Sequence, residues 1–546
     1  MPNSRKNQLD VGLTRVVSEG NLPLNILANS TVREWIEMAV PGYHLPSVYV
    51  MRNTLIPQRY EQIKEYIKKK LSSCTDISII LDIWSCKSMV GYIGFTCSGV
   101  LKTHEPFRLV SQRPRKITTD LSCQIVRVVT DGGSNMIRPF NIQFPTNQSE
   151  TLIQSSVEQV ECSEPDPNPL IHIPDSERMS AVVDAMDKAL SIIGAVRRSV
   201  NDNEIVYYAT KLHLPAKNAT RWNSQYYAIK GLLRIYEIDP LIQTKLNATQ
   251  DKSHCLTSRM IAILKELVLI LEPFQEATDD LQADYELLGN VIPAYLDLIN
   301  KVSLTREEDD GTVIKNPKSP LAGKIHHCTD LAEALKKSLE SRMSFVLQDT
   351  FYVLGAILDP RFKKCWISTT AMSEYALLDS VRFELTYRYS NLKDGENASR
   401  SQGNEEEGAT NKKSGPTPSK KKPNLYSTIN ATERPPSAGS SQILEEFEVY
   451  LNEKTIPMQQ EDISGVVTPT RSLKYWSQNA HRFPYLSCVA RNIYGCPVSS
   501  VSIERVSSTA SDILTAKRMR TKAGLFEKLH FLKHNSKLIN NPVESH

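Results

Sequence analysis

The 546-residue sequence lacks several features that would assign it to a familiar kind of site or compartment. None of its ten cysteines forms a Cys-x-x-Cys pair, so the spacing typical of a structural zinc site is missing. No apolar run reaches the length of a membrane span, and the first residues contain no hydrophobic signal core. We therefore expect an intracellular protein with reduced thiols, no membrane segment and no N-terminal zinc finger.

An excess of one charge is also missing. The net charge is only +4, from 65 Lys and Arg against 61 Asp and Glu, so the total says little about nucleic acid. The C-terminal end differs, because residues 501–546 contain eight Lys or Arg and four Asp or Glu. The run His326–Cys328 has no second ligand pair, and we expect it to be a polar surface stretch.

Hydrophobic periodicity divides the chain into helical and strand regions. Before residue 71 the apolar residues recur at helical spacing, and four short β-branched runs follow within residues 76–131. The fourth run, QIVRVVTD, is apolar almost throughout, which is typical of a buried parallel strand. Helical spacing returns in residues 255–390. A chain of this length is expected to form two to four domains.

Two of the predicted strands end in an aspartate, Asp82 in IILDIW and Asp131 in VVTDGG. If these strands are parallel neighbours, both carboxylates emerge at the same end of the sheet. Together they could bind Mg²⁺, which activates a water or hydroxyl in phosphoryl transfer. The competing interpretation is a strand entering a turn, because Asp-Gly and Gly-Gly are ordinary turn signals. The pair alone does not decide between the two.

A low-complexity segment separates the helical middle of the chain from its C-terminal end. Residues 392–440 contain few apolar side chains, so they cannot form a core and are expected to be disordered. Within them, KKSGPTPSKKKP contains two basic clusters. These clusters are consistent with a nuclear localisation signal or with a solvated linker.

Six blocks within residues 25–535 form a recognisable series. They read DIWSCKSMVGYIGFT, VVTDGGSNM, NATRWNSQYY, ILDPRFKKCW, LKYWSQNAHRFPYLSCVARNIYGCPVSSVSIERVSSTASDIL and KAGLFEKLHFLKHN. The last two lie in a C-terminal block, residues 473–535. Taken together and in order, the six blocks resemble the hAT superfamily of DNA transposases, in particular its domesticated relatives with BED-type zinc fingers.

The resemblance implies an RNase-H-like core interrupted by a long helical insertion. It also implies a metal site of two aspartates and a glutamate, which match Asp82, Asp131 and Glu504. By itself, Glu504 in SIERVSS would be interpreted as an exposed helix acid. The resemblance further implies a nucleic-acid contact at Arg221 and Trp222, since a Trp can stack on an unpaired base. An ordinary core position is a close competitor for Trp222.

The resemblance implies dimerisation through the C-terminal block. Its apolar residues would expose a patch if they were left unpaired. The candidate dimerisation residues are Tyr475, Trp476, Leu525, Leu529 and Leu532.

The sequence departs from the family pattern around the second aspartate. Only residues 111–124 connect the third and fourth strands, which leaves little room for a crossover helix, and no cysteine–histidine block follows Asp131. We therefore expect a mixed α+β protein with an apparently truncated RNase-H-like core. Its expected parts are an N-terminal helical region (1–70), the first part of the core (71–235), a helical insertion (236–391), a disordered linker (392–440) and the C-terminal dimerisation region with the last core helix (441–546).

These observations predict a nuclear, hAT-transposase-derived protein that forms homodimers, higher homo-oligomers or heterodimers with related hAT proteins. It would associate with DNA without transposition, and it would then need no cofactor. The alternative is an active Mg²⁺-dependent DNA transposase that uses Asp82, Asp131 and Glu504. A third interpretation is a degenerate chain that does not fold as a core.

Overall fold

The computed structural model describes residues 2–71, 74, 76–85, 91–111, 124–129, 177–215, 222–247, 255–283, 288–308, 311–401, 440–461, 465–513 and 523–536. Two compact units contain them. The first unit comprises residues 1–155, 287–289 and 353–546, and the second comprises 156–286 and 290–352. The predicted boundary between residues 235 and 236 falls inside a helix of the second unit, Trp222–Ile238. No helix in the described ranges is long and apolar enough to cross a membrane.

A four-stranded sheet lies in the first unit, in the order β3-β2-β1-β4. Its strands are β1 (Asp76–Ser85), β2 (Gly91–Val100), β3 (Pro106–Ser111) and β4 (Gln124–Val129). The first three strands form antiparallel neighbours, and β4 lies parallel to β1 on its other side. The β-branched runs predicted these four strands. The parallel neighbours β1 and β4 are the arrangement that the two-aspartate hypothesis requires.

Three helices precede the sheet: α1 (Asn3–Glu19), α2 (Ser30–Ala39) and α3 (Ile56–Leu71). The short helical turns Val48–Val50 and Met51–Leu55 lead directly into α3. The apolar stripe of α3 is buried, with Ile63 and Leu71 almost inaccessible to solvent. The Tyr43 hydroxyl donates a 2.7 Å hydrogen bond to Asp10 and so ties the connecting loop to α1. The N-terminal region is thus part of the core that covers the sheet.

The described residues of the second unit are helical apart from one hairpin and short connections. Its elements are α4 (Glu177–Arg198), α5 (Val200–Thr210), α6 (Trp222–Ile238), α7 (Ile242–Asn247), α8 (Ser258–Gln282), α9 (Val291–Val302), β5 (Thr305–Glu307), β6 (Val313–Lys315) and α10 (Thr329–Met343). A single core joins α4, α6 and α8 through side chains such as Ile193, Leu232 and Leu264. These are the helical faces that the apolar periodicity predicted.

One prediction about this unit holds only in part. The run His326–Cys328 was expected to be a polar surface stretch, and His326 is exposed, but Cys328 is fully buried. The physical reason is the buried carboxylate of Glu266 on α8. Its Oε2 accepts hydrogen bonds from the backbone N–H groups of His326, His327 and Cys328, at 3.0, 2.7 and 3.0 Å. A carboxylate is favourable at this point because the N-terminus of α10 presents N–H groups that have no partner within the helix.

The C-terminal part of the first unit is mostly helical. Its elements are α11 (Thr350–Leu358), α12 (Glu374–Ser401), α13 (Ser440–Asn452), β7 (Gln459–Glu461), β8 (Val467–Pro469), α14 (Ser472–Asn479), α15 (Pro484–Tyr494), α16 (Val501–Ile513) and α17 (Ala523–Asn535). The carboxylate of Glu446 on α13 accepts the backbone N–H groups of Tyr485 and Leu486, at 3.1 and 2.9 Å. Burial raises the pKa of Glu446, whereas these two bonds oppose the rise.

The two faces of β1 contact different layers. Ile77, Ile79 and Leu81 belong to a core shared with α3 and α17. Ile80 points to the opposite face, where it meets Ile503 and Val506 of α16. The alternation follows from the two-residue period of a strand. Asp82 has the same parity as Ile80 and therefore lies on the α16 face.

The fourth strand, β4, was predicted to be buried, but part of it is exposed to solvent. Ile125 and Val128 of β4 are exposed, while Val129 packs beside Ile80. The pairing of β4 with β1 also shifts between Ile77 and Ser78, which is the signature of a β-bulge. The apolar composition of β4 therefore does not reflect burial on both faces.

Candidate functional site

Asp82 lies in the middle of the sheet and contacts a helix from the far end of the chain. It pairs with Gly94 of β2 and is partly buried. Its Oδ2 accepts a 2.7 Å hydrogen bond from the hydroxyl of Ser507 on α16. One carboxylate oxygen of Asp82 is thus held against α16, although the two residues are 425 positions apart in the sequence.

Glu504 lies on the same helix, one turn before Ser507. The helix packs closely on the sheet at Gly94, where a Cβ atom would lie 3.0 Å from Cδ1 of Ile503. Glu504 is exposed, and the Ser500 hydroxyl lies 3.5 Å from its Oε1. Residues three apart share a face of a helix. The structure therefore brings the helical turn that bears Glu504 to the strand that bears Asp82.

Asp131 lies outside the described residues, as does Arg221. The last described residue of β4 is Val129, which pairs with Ile80 in the parallel register. The predicted three-acid site is consequently represented in the structure by Asp82 and Glu504.

The described residues do not form a complete metal site. Among them, no group of three His, Cys, Asp or Glu side chains is placed to hold a metal ion. Asp82 and Glu504 supply oxygen atoms, which Mg²⁺ prefers, but one oxygen of Asp82 is already engaged by Ser507. The described residues thus include two of the three predicted acids, and Mg²⁺ binding by all three stays a prediction.

Trp222 begins α6, and 43% of its surface is exposed. Its ring lies 6.4 Å from that of Tyr226, which is buried. The competing interpretation of Trp222 as an ordinary core residue does not hold, because a core Trp would be largely inaccessible. The exposed indole is available for stacking, and its contact with nucleic acid stays a prediction.

The second unit carries a further group of exposed rings that the sequence analysis missed. The rings of Tyr207 and His213 stack with centroids 4.7 Å apart, and Tyr208 is 71% exposed. The Nζ atom of Lys211 lies 5.4 Å from both tyrosine rings. Lys211 ends α5 in the left-handed conformation, at φ 59°. We call these four residues the tyrosine cluster; the adjacent letters YYATKLH were its only sequence signal.

The predicted dimerisation residues are largely buried inside the chain. Trp476 is fully buried, and Leu529 and Leu532 belong to the core that α17 shares with α3. Leu525 packs against the same core, and the Tyr475 hydroxyl donates a 2.8 Å hydrogen bond to Glu453. If left unpaired, these residues were expected to expose an apolar patch. In the single chain, the N-terminal helices cover the stripe of Leu525, Leu529 and Leu532, a contact that the sequence did not indicate. The role of the five residues in dimerisation stays a prediction.

Three aromatic side chains of the C-terminal part donate hydrogen bonds to the carbonyl groups at the end of α11. The last four carbonyl groups of a helix have no partner within it, and Pro360, two residues after α11, has no N–H to offer. Side-chain donors replace the missing bonds, each at 3.0 Å: Tyr494 to the carbonyl of Gly355, Tyr450 to that of Ile357 and Trp476 to that of Leu358. These aromatic residues therefore fix the C-terminal helices onto α11.

A buried ion pair follows the same helix. Asp359 accepts hydrogen bonds from Nε and Nη2 of Arg361, at 2.9 and 2.7 Å, and both side chains are buried. Lys363 is also buried, and its Nζ donates to the carbonyl groups of Tyr450 and Glu453. Burial lowers the pKa of Lys363. Three charged residues of LDPRFKK, namely Asp359, Arg361 and Lys363, are thus internal, although the composition of this segment favours an exposed loop.

Comparison with known proteins agrees with the C-terminal architecture. The model of the hAT family C-terminal dimerisation region matches residues 446–536, which run from α13 to the end of α17. Two curated relatives are zinc finger BED domain-containing protein 4 of Homo sapiens and zinc finger BED domain-containing protein 6 of Mus musculus. Each is 23% identical to this chain, over 95% and 98% of its length respectively.

The alignments cover 42% of the human relative and 56% of the mouse relative, so the chain spans about half the length of these proteins. The matched C-terminal segment contains Glu504 and Ser507 as well as the aromatic donors to α11. Residues 446–536 thus match the hAT C-terminal dimerisation region, and the chain is similar over most of its own length to two BED zinc finger proteins, as expected of a hAT relative.

Proposed function

We propose that this protein is a nuclear, hAT-transposase-derived factor that self-associates through residues 446–536 and associates with DNA without transposing it. The observation that carries the proposal is the match of this segment to the hAT dimerisation region. The segment is folded into the first unit through α15 and α16, which pack on the sheet. Self-association would therefore present the sheet unit of each chain in a fixed orientation to its partner.

The fold supports descent from a transposase. An RNase-H-like core, which the sequence resemblance implies, begins with three antiparallel strands and a fourth strand parallel to the first. The order β3-β2-β1-β4 and the parallel pairing of β1 with β4 agree with that beginning. The helical unit follows β4 in the chain, as an insertion into such a core would.

DNA association is supported by exposed rings on the helical unit. Trp222 and the tyrosine cluster offer faces that can stack on unpaired bases, and Lys211 supplies a cation for phosphate. Sequence-independent binding of this kind depends strongly on salt concentration. A labelled single-stranded oligonucleotide should therefore bind at low salt and dissociate as the salt concentration increases.

Size-exclusion chromatography with light scattering tests the self-association of the full chain. We expect a mass at least twice that of the 61.5 kDa chain at micromolar concentration. A strict monomer over the whole micromolar range would contradict the proposal. Nuclear targeting is tested separately, by imaging a fluorescent fusion of the full chain with and without the basic clusters of KKSGPTPSKKKP, which lie outside the described residues.

A second candidate function is a Mg²⁺-dependent DNA strand transferase. The contact between Ser507 and Asp82 favours it, because this contact joins the helix of Glu504 to the strand of Asp82. The measurement is cleavage of candidate transposon ends with Mg²⁺ or Mn²⁺. Cleavage that is lost in Asp82→Asn, Asp131→Asn and Glu504→Gln would establish the enzyme. Its absence with every candidate end would leave the self-associating factor.

A further inference from the structure

The burial of the predicted dimerisation residues raises the question of which surface of residues 446–536 remains available. Within the described part of that segment, four large apolar residues are exposed: Val449, Met458, Val466 and Val467. Three of the four lie in or beside the hairpin of β7 and β8. The exposed apolar surface of the dimerisation region is therefore concentrated at this hairpin.

The base of the hairpin is fixed to the buried ion pair. The N–H of Ile456 donates to the carbonyl of Pro360 at 3.0 Å, just before β7. Beyond β8, the carbonyl of Thr470 lies 3.5 Å from Nη1 of the buried Arg361. All six residues of the two strands are nevertheless exposed. The two strands are thus solvent-facing, and the residues that flank them are bonded to Pro360 and to the buried Arg361.

The hydrogen-bond pattern shows which backbone groups face outward. The N–H of Thr470 donates to the carbonyl of Met458 at 2.9 Å, so these two residues form a hydrogen-bonded pair. Bonded and non-bonded pairs alternate along an antiparallel ladder. Gln460 and Thr468 are therefore the next bonded pair. The N–H and C=O groups of Gln459 and Glu461 consequently point away from β8.

The two edges of the hairpin are not equivalent. On the β8 side, the outward positions are Val467 and Pro469, and Pro469 has no N–H. Proline on an edge is a device that prevents strand pairing. On the β7 side, Gln459 and Glu461 each present an outward backbone N–H and an outward C=O group. The hairpin therefore offers one complete edge, which is β7. An isolated two-stranded hairpin is only marginally stable, so further strands would stabilise it.

We propose that β7 pairs with β7 of a second copy of this chain, antiparallel and about a twofold axis at Gln460, to form a four-stranded sheet across the dimer. Gln459 of one chain then lies opposite Glu461 of the other, which gives about four hydrogen bonds and keeps the two carboxylates from facing each other. The pairing rests on the proposed self-association and names its surface. It buries a small area, so we expect a reversible dimer in the micromolar range.

The test is light scattering and sedimentation of full-length variants over a range of concentrations. Glu461→Pro removes an outward N–H but no bond between β7 and β8, and Glu461→Ala is its matched control. We expect wild type and Glu461→Ala to dimerise, and the dissociation constant of Glu461→Pro to increase at least about tenfold. Circular dichroism and the melting temperature verify that the folds are equal. A Glu461→Pro dimer as tight as wild type would overturn the pairing and leave self-association intact. A monomeric wild type would overturn both.

A crosslink tests the same geometry by a gain of signal. Cα atoms of a non-hydrogen-bonded antiparallel pair lie about 4.5 Å apart, which is within the range of a disulfide. Mild oxidation of Gln460→Cys should therefore give a covalent dimer on a non-reducing gel, with a peptide that links position 460 to itself. Glu448→Cys, on an exposed face of α13, and wild type with its exposed Cys365 are the controls. Equal dimer yields in all three proteins would contradict the proposal.

Discussion

Asn535 occupies the edge of β3 by bonding both backbone groups of Val110. Its Oδ1 accepts the Val110 N–H at 3.2 Å, and its Nδ2 donates to the Val110 carbonyl at 2.9 Å. The side chain is fully buried. A carboxamide from the last helix thus takes the place of a neighbouring strand, which protects this edge from pairing with other chains.

The first prediction concerns this amide. Asn535→Ala leaves a buried N–H and a buried carbonyl of β3 without partners, so the free energy of unfolding should decrease by about 1–3 kcal/mol. Urea denaturation followed by circular dichroism measures the change. Asn452→Ala, at the exposed end of α13, is the control and should change stability by under about 0.5 kcal/mol. Equal effects of the two substitutions would contradict the edge role of Asn535.

The second prediction separates stability from self-association at Trp476. Trp476→Phe retains a large ring but loses the bond from Nε1 to the carbonyl of Leu358. The protein should lose about 1–3 kcal/mol of stability, because a buried carbonyl is left without its donor. Its dimer mass at concentrations far above the dissociation constant should not change. Trp35→Phe, at an exposed position of α2, is the matched control. A lower mass with unchanged stability would instead identify Trp476 as a dimer contact.

The third prediction concerns the tyrosine cluster. The double substitution Tyr207→Ala and Tyr208→Ala should weaken binding of a fluorescein-labelled single-stranded 20-mer, since stacking contributes about 1–3 kcal/mol per base. Fluorescence anisotropy at low salt provides the dissociation constant. Replacement of both residues by Phe should preserve binding because the rings remain. Tyr375→Ala removes an equally exposed tyrosine of the first unit and serves as the control. Unchanged affinity in the double alanine variant would exclude the cluster as a stacking surface.

The fourth prediction is a pH dependence at the contact between α16 and α17. His530 is buried and its Nε2 lies 3.2 Å from the carbonyl of Val506, so this nitrogen carries the proton of the neutral ring. Burial lowers the pKa of His530, with a further decrease from Lys533, while the bond to Val506 opposes both. Burial, aided by Arg491, also lowers the pKa of His104, to about 4.

The direction of this pH dependence is set by whether the folded or the unfolded chain binds more protons. Unfolded histidine titrates near about 6.5, so below that pH the unfolded chain takes up protons that the folded chain does not. The contribution of the two neutral histidines to the free energy of unfolding is therefore fully present above about pH 6.5, and it decreases as the pH falls toward their pKa values in the folded chain. Urea midpoints at pH 7.5 and 5.5 measure this decrease. In His530→Gln, whose amide can still donate to Val506, the decrease should be smaller. An identical pH profile in wild type and variant would rule out a contribution from His530.

Part of the fold could be read from local pattern. The four β-branched runs became the four strands, and the stripes of residues 177–282 became the helices of one core. The alternation of odd and even positions along β1 also indicated which side chains share a face, because successive side chains of a strand point to opposite faces in any fold. Asp82 could be singled out in the same way, since it ends an apolar run.

Other features depended on contacts between distant segments. The stripe of Leu525, Leu529 and Leu532 predicts that one face of a helix must be buried, but a helical stripe has the same period whether it packs inside the chain or against a second chain. The structure shows that the N-terminal helices cover it. The charged letters around Asp359 likewise gave no sign that an ion pair and a lysine are internal.

The sequence by itself determined the elements of this protein, the faces that must be buried and the candidate acids. Local periodicity and strand-ending residues are sufficient for that, because they depend on neighbours along the chain. Only the tertiary structure decided that β4 lies parallel to β1, that Ser507 contacts Asp82 and that β7 retains a complete edge. Strand order, contacts across hundreds of residues and outward backbone groups depend on how segments meet in space, and no local pattern encodes that.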